Sequence, residues 1–282
     1  MTSERYQLRI MTRDQVDLAI AWAASEGWNP GLHDADCFYN TDPTGFLMGF
    51  LDGEPIASIS AVKYGETFGF IGFYIVKPDF RGQGYGLEIW TAALNYLKDR
   101  NIGLDGVVAQ QDNYIKSGFT LAYRNIRYAG VSTGEAHNSD CVPLAELPIA
   151  AVIEYDRRCF FEVRSHFTQC WITQPNSHAV GAVDGQTLVG YGTLRPSQSG
   201  YKIGPLFADT AAIADKLFQA LVAKVPEGSP FCLDVPEVNS EAVILAERHG
   251  MSSVFETARM YTQDAPKLPL EKIFGVTTFE LG

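Results

Sequence analysis

Lysine and arginine are scarce, 22 against 33 aspartates and glutamates in 282 residues, for a formal net charge of −11. A nucleic-acid backbone is neutralised by clustered cations, so a general affinity for DNA or RNA is excluded. An acidic surface favours neutral or cationic small partners. Long apolar runs are also missing. The longest strongly apolar stretch, residues 68–76, falls far short of the ~20 residues that cross a bilayer. The amino terminus shows no charged-then-apolar leader pattern, so the chain is expected in the cytoplasm, away from membranes. Cys37, Cys141, Cys159, Cys170 and Cys232 are odd in number, scattered and without C-x-x-C spacing, which removes zinc knuckles and dithiol redox motifs. They read as small buried hydrophobes in a reducing compartment. His33, His137, His166, His178 and His249 are equally dispersed, and no metal site is expected.

What is present is a globular composition, 46% hydrophobic and 12% aromatic, in a length that suits two domains. The chain also repeats itself. Asp52-Gly53, Ile71-Gly72 and Gly118-Phe119 recur 132 residues later as Asp184-Gly185, Ile203-Gly204 and Gly250-Met251. A single offset at three anchors marks a duplicated unit. In the first copy, residues 15–22 carry a helical pattern, 46–50 and 56–62 a hairpin, and 69–76 a buried strand. Leu87, Trp90, Leu94 and Leu97 define the next helix, followed by a short strand at 107–109 and a closing strand at 121–128. The second copy shows a hairpin at 179–183 and 188–194, strands at 201–207, 231–235 and 254–261, and helices at 211–225 and 242–248. Ser132, Thr133, Gly134, Asn138 and Ser139 mark the seam. The expectation is an α/β chain of two tandem domains, 1–130 and 143–282, each a mixed, mostly antiparallel sheet flanked by helices.

The most informative segment runs from Val76 through Arg81-Gly82-Gln83-Gly84-Tyr85-Gly86. A buried strand ends, a glycine-rich turn follows, and an amphipathic helix begins. Such glycines let the backbone approach a ligand closely, and amides at a helix start bind anions. Arg81 adds a guanidinium fork suited to phosphate oxygens. The spacing is neither G-x-x-x-x-G-K-[ST] nor G-x-G-x-x-G, which excludes a P-loop and a dinucleotide fingerprint. Read alone, the turn could be an unliganded strand-to-helix connection.

The segment fits [RQ]-x-x-G-x-[GA] and so resembles the Gcn5-related N-acetyltransferases (GNAT), whose loop wraps the pyrophosphate of acetyl-coenzyme A. Tyr114-Ile115-Lys116-Ser117-Gly118-Phe119 is similar to the family's second signature, Y-x-x-x-G-F. The resemblance covers about residues 5–128 strongly. Residues 110–113 are shorter than the usual connection. The second copy resembles the same fold without the cofactor loop, because Ile213, Ala214, Lys216 and Phe218 stand where Arg81, Gly82, Gly84 and Gly86 would fall, and Ala246 replaces Tyr114. The whole resembles a tandem subgroup with a degenerate second domain; residues 26–31, 103–107, 274–276 and 280–282 look like its own signatures.

The resemblance implies an acetyl-CoA-dependent N-acetyltransferase acting on a primary amine of a small, cationic molecule. Ile75, Val76, Arg81, Gly82, Gln83, Gly84, Tyr85 and Gly86 would hold the cosubstrate. Tyr114 would be the general acid, a phenol protonating the departing thiolate, although a half-buried packing role fits its position too. Trp28, in the helix-stopping run Trp28-Asn29-Pro30-Gly31, would line the acceptor pocket, with the second domain helping to close it. Glu26, His33, Asp36 and Glu66 lie in nearby loops, and none is assignable as the base. The alternatives are a non-catalytic acyl-CoA-binding or sensing protein, for which the loop around Arg81 suffices, and an acetyltransferase for protein amino groups. In the second domain Asp156, Arg164 and Trp171, set among Phe160, Phe161 and Phe167, fit a helix with an aromatic core face.

Overall fold

A computed structural model describes residues 5–135 and 139–282. The first four residues, and His137 and Asn138 of the seam, lie outside the described residues. The first half contains β1 (Tyr6–Ile10), α1 (Arg13–Ser25), α2 (Asp34–Thr41), β2 (Phe46–Leu51), β3 (Glu54–Tyr64), β4 (Phe68–Val76), α3 (Tyr85–Tyr96), β5 (Asn101–Val107), α4 (Gln111–Lys116) and β6 (Thr120–Val131). The second contains β7 (Val142–Pro143), α5 (Ile149–Phe160), α6 (Ser165–Ile172), β8 (His178–Asp184), β9 (Thr187–Pro196), β10 (Tyr201–Ala208), α7 (Ala211–Val222), β11 (Pro230–Pro236), α8 (Ser240–Arg248), β12 (Ser252–Tyr261) and β13 (Ile273–Gly275).

The described strands join in one 13-stranded sheet, ordered β1-β2-β3-β4-β5-β12-β6-β11-β10-β9-β8-β7, with β13 against β10. Only β4/β5 and β10/β11 are parallel. Asp52 and Gly53 take φ +51° and +90°, both positive as a two-residue hairpin of type I′ requires. β3 is buried on both faces. On one side Phe46, Phe70 and Phe73 pack with α1, α2 and α6; on the other Ile59 and Ile71 pack with Ile89, Trp90 and Leu97.

The closing strands are exchanged. β12 of the second half pairs with β5 of the first, Thr257 opposite Val107 through Tyr261 opposite Gly103. β6 of the first half pairs with β11 of the second, and β6 and β12 pair with each other. A buried ion pair locks each exchange: Arg259 to Asp105 at 2.9 and 2.6 Å, and Arg127 to Asp234 at 2.6 and 2.8 Å. Sequence periodicity reads which face of a strand is buried; it carries nothing about which neighbour the strand takes.

β5 lies at 101–107 where a short strand at 107–109 was expected, because Val108–Gln110 is a helical turn. Cys37 and Cys170 depart from the expectation of free thiols. Packing of α2 on α6 sets their Cα atoms 5.4 Å apart, and they form a disulfide. No described helix is long and apolar enough to cross a membrane.

Candidate functional site

Two irregularities in β4 make room for the site. Phe73 adopts φ +48°, a region that bulky residues rarely occupy, and the pairing with β3 slips between Ser58 and Ser60. Pairing of β4 with β5 ends at Ile71 opposite Leu104, although β4 runs on to Val76 and β5 to Val107. The strands splay, and Tyr74, Ile75 and Val76 border open space.

Beyond Val76 the chain turns into α3. Gly82 and Gly84 have φ +74° and +93°, and a Cβ on either would meet nothing within 4 Å. Glycine is therefore required by conformation, while the space above stays open. The amides from Gly82 to Gly86 donate to no described backbone carbonyl. Gly84 is the N-cap of α3 and brings no side chain to satisfy them, as the first amides of a helix require. The second half is the opposite case: Thr210 caps α7, its hydroxyl accepting from Ile213 N at 3.3 Å, and Ala214 and Phe218 are buried. Arg81 donates through Nε to Val76 O at 2.8 Å and pairs through Nη2 with Glu26.

Ile75, Val76, Arg81, Gly82, Gly84 and Gly86 line one groove of about 550 Å³. Gln83 and Tyr85 do not reach it. Gln83 Nε2 folds back to Asp79 O at 2.8 Å, and the Tyr85 ring packs on Tyr6 at 4.8 Å. Trp28, Tyr74, Val107 and Tyr114 border both this groove and a smaller cavity of about 50 Å³ in the splay. Tyr114 is buried, its ring 5.6 Å from that of Trp90. A Cβ on Gly106 would collide with the Tyr114 ring, so glycine on β5 seats the tyrosine. Its hydroxyl has no hydrogen-bond partner among the described residues, and burial, with a smaller effect of Tyr74, pushes the phenol up to about 12.

The smaller cavity is closed by the second half: Phe255 and Thr257 of β12, and Phe279 and Glu280 of the segment after β13. Asp105, Thr257, Tyr74 and Glu280 escaped assignment from the sequence. Residues 103–107 and 280–282 stood out as signatures, but nothing local showed that a distant tail lies beside β4. The tail is held by residues that sequence patterning gave to a helical core. Arg164, paired with Asp156 at 2.8 Å, reaches Thr277 Oγ1 at 2.8 Å and Gly282 O at 3.2 Å. Trp171 Nε1 donates to Gly204 O at 2.8 Å. Glu26 is taken by Arg81, and Asp36 by Arg13 at 2.5 Å; neither His33 nor Glu66 lines either cavity.

The profile of the acetyltransferase (GNAT) family matches residues 13–117, and that of the acetyltransferase (GNAT) domain matches residues 152–275. The chain is 33% identical over 262 residues to the holothin acyltransferase of Pseudoalteromonas sp. (strain SANK 73390), covering 93% of this chain and 89% of that one. Among solved structures, an acetyltransferase-named protein of Pyrococcus horikoshii superposes with a TM-score of 0.85 at 21% identity, covering 100% and 98% of the two chains. A tandem GNAT protein from the clavulanic acid biosynthesis pathway gives 0.64 at 13% identity, covering 93% and 100%. The free amides at Gly82–Gly86, their capped counterpart at Thr210 and the two family matches agree: the chain belongs to the GNAT family, carries two GNAT domains in tandem, and is an N-acyltransferase.

Proposed function

We propose that the protein transfers an acetyl group from acetyl-coenzyme A to the primary amine of a small molecule. The observation that carries this reading is the continuity of the site. A groove with unpaired amides and Arg81 at one end borders the same Tyr114 as an apolar cavity at the other. GNAT proteins use acyl-CoA, and the cradle suits its pyrophosphate: two open glycines, a helix start without a cap, and a guanidinium. Ile75 and Val76, on the splayed part of β4, would border the pantetheine arm. A main-chain amide there would stabilise the oxyanion that develops at the thioester carbonyl. Gln83 and Tyr85 would contribute through their amides, since their side chains point elsewhere.

Tyr114 would stay neutral and hydrogen-bond the departing sulfur. Full transfer from a phenol near 12 to a thiolate of pKa ~8.5 is uphill by about 5 kcal/mol, so the proton would move together with C–S cleavage. Trp28 would line the acceptor pocket. We take units 1–130 and 143–282 as the working division, the second closing that pocket through Phe255, Thr257 and Phe279. The relative at 33% identity is named for holothin as its acceptor and not for a protein, which favours a small amine over protein amino groups. A purely sensing protein would leave the cavity beyond Tyr114 without a purpose. Thiol release from acetyl-coenzyme A, measured against a panel of amines with a no-amine control, tests the reading. Calorimetric binding without amine-dependent thiol release would favour the sensor.

A further inference from the structure

Two polar groups of residues lining the cavity between β4 and β5 are buried without a hydrogen-bond partner: Trp90 Nε1 and Thr257 Oγ1. Their residues are 5% and 2% exposed. A buried polar group without a partner costs stability until something meets it.

The same wall holds two carboxylates, and they differ. Asp105 accepts two bonds from Arg259 and one from Asn125 Nδ2 at 2.8 Å, so its charge and lone pairs are spoken for. Glu280 is 4% exposed. Its Oε2 accepts from Thr278 Oγ1, while Oε1 has no partner among the described residues, and no cation lies within ion-pair distance. Arg127 and Lys202 are near enough to interact electrostatically with it. Arg127 is committed to Asp234 through two bonds; Lys202 Nζ, buried without a hydrogen bond, stands 3.9 Å from Asp234 and feels Glu280 more strongly than Asp234.

The placement of Glu280 is rigid. Val276 N donates to Asp234 O at 2.9 Å, Tyr64 Oη to Leu281 O at 2.9 Å, and Arg164 grips Thr277 and Gly282 on either side. The remaining lining is mostly apolar, with Trp28, Phe73, Phe255 and Phe279 bordering the same cavity as Glu280.

We infer that Glu280, supplied by the second half, receives the protonated amine of the acceptor and takes its proton, and that the acceptor is a primary ammonium on a compact apolar body. This rests on the acyl-transfer reading above. One proton passes from the ammonium to the Glu280 carboxylate, freeing the nitrogen lone pair. The nitrogen bonds to the thioester carbonyl carbon, and the C–S bond breaks with its electron pair going to sulfur. A second nitrogen proton reaches that sulfur by way of the Tyr114 hydroxyl. Glu280 then returns its proton to water. The products are an amide, a free thiol and one released proton.

The test compares benzylamine, an ammonium at neutral pH, with aniline, a free amine there, using the full chain, Glu280→Gln and Glu280→Asp. Initial rates are read with acetyl-coenzyme A. Coenzyme A binding by calorimetry and thermal melting are recorded for each protein. Loss of a charged hydrogen-bond partner should lower kcat/KM for benzylamine about ten- to a hundredfold in Glu280→Gln. Aniline should change by less than about threefold, and Glu280→Asp should recover part of the benzylamine rate. Equal losses on both amines, or no loss on benzylamine, overturn the inference. So does a parent chain that binds coenzyme A yet shows no rate with benzylamine and no response of its tryptophan fluorescence to it. A parent chain that gives no heat with either acetyl-coenzyme A or coenzyme A overturns the acyl-transfer reading itself. Should Glu280→Gln fail to melt cooperatively, Glu280→Asp carries the comparison, and an unchanged benzylamine-to-aniline ratio there overturns the inference.

Discussion

The carbonyl oxygen of Glu280 occupies the space that a side chain on Gly72 would need. The relationship is repeated at the equivalent position of the second half, where the carbonyls of Val276 and Thr277 lie 2.7 Å from the place of a Cβ on Gly204. The duplicated Ile-Gly pairs at 71–72 and 203–204 are thus two crossings of one tail over the sheet.

Gly72→Ala should push that tail away from β4. Backbone meets the new methyl, so the strain has no soft side chain to absorb it, and a cost of about 1–3 kcal/mol is expected. The melting temperature should drop by several degrees and amine-dependent thiol release should fall. Calorimetric affinity for coenzyme A should hold, because the loop from Arg81 to Gly86 is separate from the crossing. Coenzyme A affinity falling in step with turnover would show that the tail supports the loop as well.

The two helix starts make a matched pair of substitutions. Gly84→Ala places a side chain at φ +93°, a strain of about 1–2 kcal/mol, and turns the capping amides from the groove; coenzyme A should bind about tenfold or more weakly. Thr210→Ala removes the N-cap of α7 at a cost of about 1 kcal/mol and should leave coenzyme A binding untouched. Equal effects of both on binding would mean that the second half also holds the cosubstrate.

Tyr114→Phe should lower kcat by about a hundredfold or more while coenzyme A affinity is unchanged. The pH dependence has a definite sign. Burial lifts the folded phenol from the ordinary 10 to about 12, so the neutral form persists through and beyond the usual assay range. The ratio of parent to variant rates should therefore stay flat from about pH 7 to 10. A ratio falling toward one near pH 9 would mean the phenol ionises early. For stability, the neutral phenol's contribution is complete below about pH 10 and is lost as pH rises toward about 12, where only the unfolded chain has released the proton.

Arg259→Met leaves Asp105 buried without a cation, and Arg127→Met leaves Asp234 buried with only Lys202, at 3.9 Å, as a cationic neighbour. Each should cost about 3–5 kcal/mol in denaturant unfolding. Arg127 also donates to Trp28 O at 2.8 Å, so its loss should disturb the acceptor pocket and raise the amine KM more than the loss of Arg259 does. Similar KM values for the two variants would separate Trp28 from acceptor binding.

Local features of this fold are legible in the sequence, and long-range ones are not. Asp52-Gly53, the glycines from 82 to 86 and the apolar stripe of α3 each constrain their own neighbourhood, so hairpin, loop and helix could be located from residue type alone. The duplication was visible because its anchors are glycines with fixed conformational or packing duties. β5 was displaced by several residues because Gly103, Asp105 and Gly106 break its hydrophobic pattern; those glycines make room for Phe68, Phe70 and Tyr261, and for Tyr114. Glu280 could not be connected to Gly72, nor Arg259 to Asp105, since an ion pair or a close backbone crossing leaves no mark in the spacing of either partner. Cys37 and Cys170 likewise meet only through the packing of two helices from different halves.

The crossed strands bind the fates of the two copies together. Without β12, β5 would present a bare hydrogen-bonding rim, and without β6 so would β11; such rims recruit foreign strands. The copy whose α7 begins with a side-chain cap is consequently not dispensable to the fold: it closes the other copy's sheet, and a gene split at the seam would yield two polypeptides obliged to assemble side by side.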